Sequence, residues 1–239
     1  MMRTTVFPSG IAVSTLPEPI DYAEAAARAG EGRFFLLVRH GKRPPIDPDD
    51  PTFGASLPLT PEGEALARAC GRALRPAASR PWAFRASPYR RTILTAGFVA
   101  EEMGFGAASV EPCDEVGIPG LWISDAAAVH EGQVRDTAWV YNDRLAREGV
   151  AEGYRPSVES ADMLFSWLSR TDFGAPNACF CTHDCHLACL YHALGIGGIS
   201  GNNWIRFLQG CALFETAPAV FTAACLLPDK SAPASPYAK

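Results

Sequence analysis

The sequence predicts an α/β sandwich, and two observations carry that expectation. Short apolar runs of strand length alternate with longer stretches of helical periodicity, and this alternation builds a sheet covered by helices. Three of the apolar runs also end in cationic or titratable residues, where open α/β sheets hold their ligands. Phe34-Phe35-Leu36-Leu37-Val38 runs into Arg39-His40-Gly41-Lys42-Arg43. Trp82-Ala83-Phe84 leads to Ser87-Pro88-Tyr89-Arg90-Arg91, and Ala178-Cys179-Phe180-Cys181-Thr182 ends in His183-Asp184. Strand ends of this kind imply an anionic ligand.

In chain order, residues 1–31 form an N-terminal extension ahead of the first core strand. Pro8 and Gly10 break the run from Val6 to Leu16, and alanine-rich Tyr22 to Ala29 reads as a helix. After the first strand, Lys42 to Pro58 carries Pro44, Pro45, Pro48, Pro51 and Pro58 and is a loop. Its attachment to the His40 segment places it beside the ligand. Thr60-Pro61-Glu62 is a helix start, with a capping threonine and proline at the first helical position, and the helix runs to about Leu74. Thr92 to Met103 is a second helix, Ala108 to Glu111 a short strand, and Asp114 to Asp125 a loop containing Trp122. Gln133 to Arg147 and Ser157 to Ser169 are amphipathic helices, the latter through Val158, Ala161, Leu164, Phe165 and Leu168. A helix over residues 184–194 follows His183. Cys211 to Glu215 and Phe221 to Leu227 are late strands that fit a hairpin. Residues 229–239, with Pro233 and Pro236, read as a frayed tail.

Bulk properties narrow the function. At 239 residues the chain is expected to be a single domain. Hydrophobic residues make up 48% and charged residues 20%, ordinary for a globular protein. The net charge of −5 argues against a nucleic-acid partner, so positive charge for an anion must be held locally. No apolar run reaches membrane-spanning length, and the N-terminus has no secretory h-region, so a cytoplasmic protein without a membrane partner is expected. Of the eight cysteines, Cys179, Cys181, Cys185, Cys189 and Cys211 lie in apolar surroundings and read as reduced core residues.

The three strand-end segments together resemble the histidine phosphatase superfamily, the phosphoglycerate-mutase-like and acid-phosphatase proteins. Arg39-His40-Gly41 matches the family's Arg-His-Gly signature, and Arg43 and Pro45 extend it to the longer acid-phosphatase form. Ser87 to Ala96, SPYRRTILTA, looks like the second-arginine motif with Arg91 in the arginine place. Thr182-His183-Asp184 looks like the late histidine motif, and the matched region runs from about Phe34 to about Leu194. The resemblance implies a phosphoglycerate-mutase-like three-layer sandwich, with a mainly parallel sheet and helices on both faces. It also implies a phosphomonoesterase acting on a small phosphorylated substrate.

The resemblance assigns roles residue by residue. His40 is the nucleophile that carries the phosphoryl group. Arg39, Arg91 and His183, the last as imidazolium, hold the phosphate oxygens, and Arg43 adds a further contact. Arginine suits that work because it stays charged and binds in a bidentate fork. With protein cations supplying the charge, neither a metal nor another cofactor is expected. The proton donor has two candidates. Asp184 matches the acid-phosphatase branch, and Glu115 the mutase-like branch. Asp184 can equally stabilise the start of the following helix, and Glu115 can be a solvated loop carboxylate.

Two further readings remain open: a phosphoglycerate-type phosphomutase using the same site, and a non-catalytic phospho-ligand-binding protein that keeps the arginines. The sequence does not specify the oligomeric state. His183, Cys185, His186, Cys189 and His192 prompt a zinc reading, which is set aside because His183 belongs to the phosphate motif and no Cys-x-x-Cys pair is present. The glycine-rich stretch Gly195 to Gly201 follows a helix rather than a strand and reads as a connection. Arg90 and Lys42 read as surface charges, and Asn202, Asn203 and Trp204 as hydrogen-bonded loop residues.

Overall fold

A computed structural model of the chain describes residues 2–30, 32–47, 50, 52–197, 199 and 203–228, with Ala108 described for its backbone alone. The tail expected at 229–239 lies outside the described residues, as do Pro48, Pro51, Gly198, Ser200, Gly201 and Asn202.

The elements alternate as expected. In order they are β1 (Arg3–Val6), β2 (Ala12–Thr15), β3 (Ile20–Asp21), α1 (Tyr22–Arg28), β4 (Arg33–Arg39), α2 (Pro61–Leu74), β5 (Trp82–Ala86) and α3 (Arg90–Met103). There follow β6 (Val110–Pro112), α4 (Ala126–Glu148), α5 (Ser157–Arg170), β7 (Asn177–Thr182), α6 (Asp184–Leu194), β8 (Gly210–Ala217) and β9 (Val220–Leu227). One sheet runs β1-β2-β9-β8-β4-β7-β5-β6, with β3 also paired to β9. Strands β4, β7, β5 and β6 are mutually parallel, while β8 pairs antiparallel to β4 and turns back as an antiparallel hairpin with β9.

Strand β4 shows why the molecule has three layers. Its side chains alternate between the two faces of the sheet. Phe34, Leu36 and Val38 pack into a core with α1, α2 and α3, while Phe35 and Leu37 pack into a second core with α4, α5 and α6. A strand covered on both sides reads as a continuous apolar run rather than an alternating one. Each fully buried Phe or Leu contributes about 1.5–3 kcal/mol, so this central strand anchors both cores. All eight cysteines are free thiols, and seven of them are buried. No helix among the described residues is long and apolar enough to cross a membrane.

Local signals act as their chemistry dictates. Thr60 caps α2 by accepting from the Gly63 amide at 3.2 Å, and Pro61 opens the helix. Helix α4 starts earlier than its apolar pattern suggests because Asp125 accepts from the amides of Ala127 and Ala128. It is broken at Thr137, whose φ is 64°.

The N-terminal segment differs most from expectation. Pro8 and Gly10 do not merely interrupt it. They sit in the turn between β1 and β2, closed by Phe7 and Ile11 hydrogen bonds, so a broken run becomes a hairpin. Strand β2 then pairs in parallel with β9, and Phe7, Ile11 and Val13 enter the core.

Candidate active site

Strands β4, β7 and β5 are neighbours, and their parallel registers bring their C-terminal ends into one row. Arg39 pairs with Thr182, and Ala86 with Cys181. The next residues, His40, His183 and Ser87, therefore emerge side by side. The His40 amide donates to the Thr182 carbonyl at 3.1 Å, and the Ser87 amide to the Cys181 carbonyl at 3.0 Å. Helices α3 and α6 start directly beyond this edge, and helix N-termini favour anions.

Gly41 allows the chain to turn here. A Cβ at this position would meet the Gly63 carbonyl oxygen at 2.8 Å, so only glycine lets the loop pass the first turn of α2. The Gly41 amide donates to Thr95 Oγ1 at 2.9 Å, which ties the loop to α3 as well.

His40 is 3% exposed, and its Nδ1 lies 2.8 Å from the Gly41 carbonyl. A carbonyl can only accept, so Nδ1 carries the proton and Nε2 keeps its lone pair. Burial, then the charges of Arg39 and Arg91, push the His40 pKa well below 6.5. The imidazole is thus neutral at neutral pH, with its lone pair on Nε2.

Arg39 is 2% exposed; its Nη2 lies 2.9 Å from Asp184 Oδ2 and its Nη1 donates to the Ile205 carbonyl at 2.5 Å. The guanidinium lies over the Phe207 ring, 4.2 Å from its centroid. Arg91 projects from the first turn of α3 and donates through Nη1 to the carbonyls of Phe53 and Gly54, at 3.2 and 2.7 Å. Those two residues have φ of 52° and 67°, a left-handed turn that faces both carbonyls to the guanidinium. Burial lowers the Arg91 pKa to about 10, with the charge of Arg43 as the second cause. Its buried Nε has no hydrogen-bond partner among the described residues, leaving a donor for an incoming oxygen. Arg43 donates from Nη1 to the Pro44 carbonyl at 2.8 Å.

His183 is 3% exposed and shares a hydrogen bond with Ser87 Oγ at 2.8 Å. The His40 and His183 ring centroids are 5.7 Å apart. Burial first, then His186, His40, Arg91 and Arg39, hold its pKa well below 6.5. The imidazolium expected at this position is therefore a neutral ring in the free protein.

Asp184 is placed by three contacts: Oδ2 meets Arg39 and accepts from Trp204 Nε1 at 2.9 Å, and Oδ1 accepts from the Cys185 amide at 3.0 Å. Burial pulls its carboxyl upward, but Arg39, Trp204, His40 and the Cys185 amide together hold it down at about 2. In the free protein it is an ionised partner of Arg39.

Glu115 lies in a short turn after β6, accepts from Cys113 Sγ at 3.2 Å and borders a surface groove with Arg85, Trp167 and Phe173. Arg39, Arg91 and Asp184 are the charges that act most strongly on His40. The site brings together Arg39, His40, Arg43, Arg91, His183 and Asp184, while the side-chain contact of Glu115 is with Cys113.

Ser87, Thr95, Trp204 and Phe207 join the site without having been singled out for it in the sequence. A buried tryptophan whose indole N–H needs an acceptor was the available signal for Trp204. Lys42 pairs with Glu62 at 2.9 Å, and Arg90 donates to the Ser56 carbonyl at 3.4 Å. Among the described residues no three His, Cys, Asp or Glu side chains converge to hold a metal ion. His186 instead stacks on Trp122 and bonds Thr182, and His192 meets the Ala146 carbonyl.

Comparison with known proteins follows the same lines. The family model described as histidine phosphatase superfamily (branch 1) matches residues 35–212. No curated protein matches the chain. Among solved structures, the phosphoglycerate mutase of Bacillus anthracis str. Sterne is 15% identical, with 84% of this chain and 95% of that one covered and a TM-score of 0.51. A mycobacterial glucosyl-3-phosphoglycerate phosphatase is also 15% identical, with 82% and 99% covered and a TM-score of 0.47. At this identity the likeness to the mutase is one of fold.

Proposed function

The chain belongs to the histidine phosphatase superfamily, and from that premise we propose that it hydrolyses a small phosphomonoester through a phosphoryl group carried on His40. One observation carries the reading. A neutral His40 with a free Nε2 lone pair stands among Arg39, Arg91 and His183 at the common end of three parallel strands.

A phosphomonoester dianion repels anionic nucleophiles, whereas a neutral ring nitrogen approaches without that penalty. His40 Nε2 bonds to phosphorus as the bond from phosphorus to the ester oxygen breaks, and the leaving alkoxide takes a proton. Water then attacks phosphorus, the N–P bond breaks, and inorganic phosphate leaves. Arg39, Arg43 and Arg91 supply positive charge to the equatorial oxygens without a metal. Neutral His183 can still donate from one ring nitrogen.

Asp184 is the proposed proton donor, with Glu115 second. The free protein holds Asp184 ionised, so it must gain its proton on substrate binding. A phosphate oxygen competing for Arg39 weakens the ion pair and adds negative charge nearby, and both effects raise the carboxyl pKa. The same ion pair favours a second reading, in which the protein binds a phospho-ligand without turning it over because no acid is ready.

Labelling separates these readings. Protein fed a 32P-labelled phosphomonoester and quenched in alkaline denaturant should hold acid-labile, base-stable label and release inorganic phosphate. His40→Ala should lose both. Normal turnover by His40→Ala would overturn the phosphohistidine, label transferred to an acceptor alcohol would indicate a mutase, and binding without label or release would favour the binder.

A further inference from the structure

Beside the phosphate-binding cluster lies a cleft of about 720 Å³. That volume suits a whole small-molecule ligand and is far more than a phosphate group needs. Two residues join it to the nucleophile. Phe207 forms part of its wall, 6.0 Å from the His40 ring and against the Arg39 guanidinium. Arg43 borders it and acts electrostatically on Arg91. The cleft therefore adjoins the His40 site and offers room beside it for the organic part of an ester.

The walls are apolar: Pro45, Ile46, Phe53, Val134, Ala138 and Phe207. Phe53 and Val134 are 36% and 71% exposed, an unfavourable placement for large apolar side chains unless something covers them. The break in α4 at Thr137 falls between Val134 and Ala138, both of which face the cleft. The polar groups point against the commoner phosphoesters. Lys42, Arg43, Asp47 and Asp50 all border the cleft, and Lys42 is also paired with Glu62, so the rim charges balance and offer no net cationic site for a second anionic group on the substrate. Gln133 is the single uncharged polar side chain bordering it among the described residues, and Asp50 is already engaged by Thr52 and the Gly54 amide, so most hydroxyls of a sugar would face apolar side chains.

We propose that the substrate is the phosphate monoester of an apolar alcohol, with its hydrocarbon portion lying between Ile46, Phe53, Val134 and Phe207. The proposal rests on the phosphatase reading of the same site and adds the class of leaving group. It excludes phosphoglycerates, sugar phosphates and nucleotides as good substrates.

The test uses the full chain with methyl-, butyl- and octylphosphonate, whose affinities are read by calorimetry. Phosphate release is measured in parallel from ethyl, butyl and octyl phosphate, 3-phosphoglycerate and glucose 6-phosphate. Each buried methylene should tighten binding by up to about fourfold, and octylphosphonate should bind at least tenfold tighter than butylphosphonate. Octyl phosphate should be the best ester. Val134→Asn and Ile46→Asn, both at partly or fully exposed positions, should remove most of the octyl gain and leave methylphosphonate affinity within twofold. Equal affinity along the series, or an octyl gain untouched in both variants, would overturn the proposal. Faster release from phosphoglycerate or sugar phosphate than from octyl phosphate would overturn it and leave the hydrolase reading standing. A chain-length gain in binding with no release from any ester would keep the apolar cleft and sink the hydrolase.

Discussion

Replacing Asp184 by Asn tests whether its carboxylate holds Arg39 in place. The substitution keeps the shape and an acceptor for the Trp204 N–H but takes the negative charge from a guanidinium that is 2% exposed. The carboxyl sits at about 2 against an ordinary value of 3.8. At about 1.4 kcal/mol per pH unit, and trimmed because the side chain is 25% exposed, that gap amounts to about 2 kcal/mol of folding stability at pH 7. The sign follows from linkage. Folding lowers this pKa, so the unfolded chain binds the proton first as the pH falls. The contribution is complete above about pH 4 and is lost as the pH drops through about 2. Urea unfolding of both proteins at pH 7, 5, 4 and 3 should therefore show Asp184→Asn less stable by about 2 kcal/mol at pH 7 and 5. The difference should shrink at pH 4 and again at pH 3. Equal stability at pH 7, or a difference that stays constant down to pH 3, would refute the ion-pair argument.

Three further outcomes are expected. Because the His40 pKa is pushed well below 6.5 by burial, Arg39 and Arg91, the proposed nucleophile stays deprotonated through neutral pH. The acid limb of kcat/KM, corrected for substrate ionisation near about pH 6, should lie below 6.5; a limb at pH 7 or above would contradict it. Gly41→Ala drives a Cβ to 2.8 Å from the Gly63 carbonyl oxygen, and should cost about 1–3 kcal/mol in urea titration along with most of the activity. An unchanged midpoint would mean the loop and α2 separate freely. Ser87→Ala removes the 2.8 Å hydrogen bond that orients His183. It should raise KM about fivefold, matching a loss of about 1 kcal/mol, with little change in melting temperature; an unchanged KM would remove Ser87 from the positioning of His183.

The parts of the fold that set up the site were readable because they are local. Strands β4, β5 and β7 are short apolar runs ended by charged residues, and Thr60-Pro61 marks α2 through capping chemistry that needs no distant partner. The N-terminal hairpin was misread because Pro8 and Gly10 look the same as breakers of one strand or as the turn between two; only pairing with β9 decides. In the site, Arg39, His40 and His183 were legible as motif residues at strand ends, and Arg91 as the arginine of the motif that opens α3. Trp204 and Phe207 carried no such mark, because their roles come from where the loop before β8 crosses the sheet edge. The ionised state of Asp184 was hidden for the same reason. A carboxylate after a histidine suits a proton donor, and only its 2.9 Å approach to Arg39 shows what holds it charged.

The parallel pairing of β2 with β9, Ala12 beside Val220, bears on the order in which the molecule is assembled. A ribosome releases the first of these residues long before it makes the second. Until the β8–β9 hairpin emerges, β2 lacks its neighbour and Val13 lacks Phe221, so the start of the chain waits while β4 through β7 are synthesised. Contacts of such long sequence separation close slowly and leave an unpaired edge exposed meanwhile. Translation that stalls before β9 is complete would strand β1 and β2 as a loose hairpin with Phe7, Ile11 and Val13 uncovered, and chaperone capture of nascent chains should concentrate in that interval.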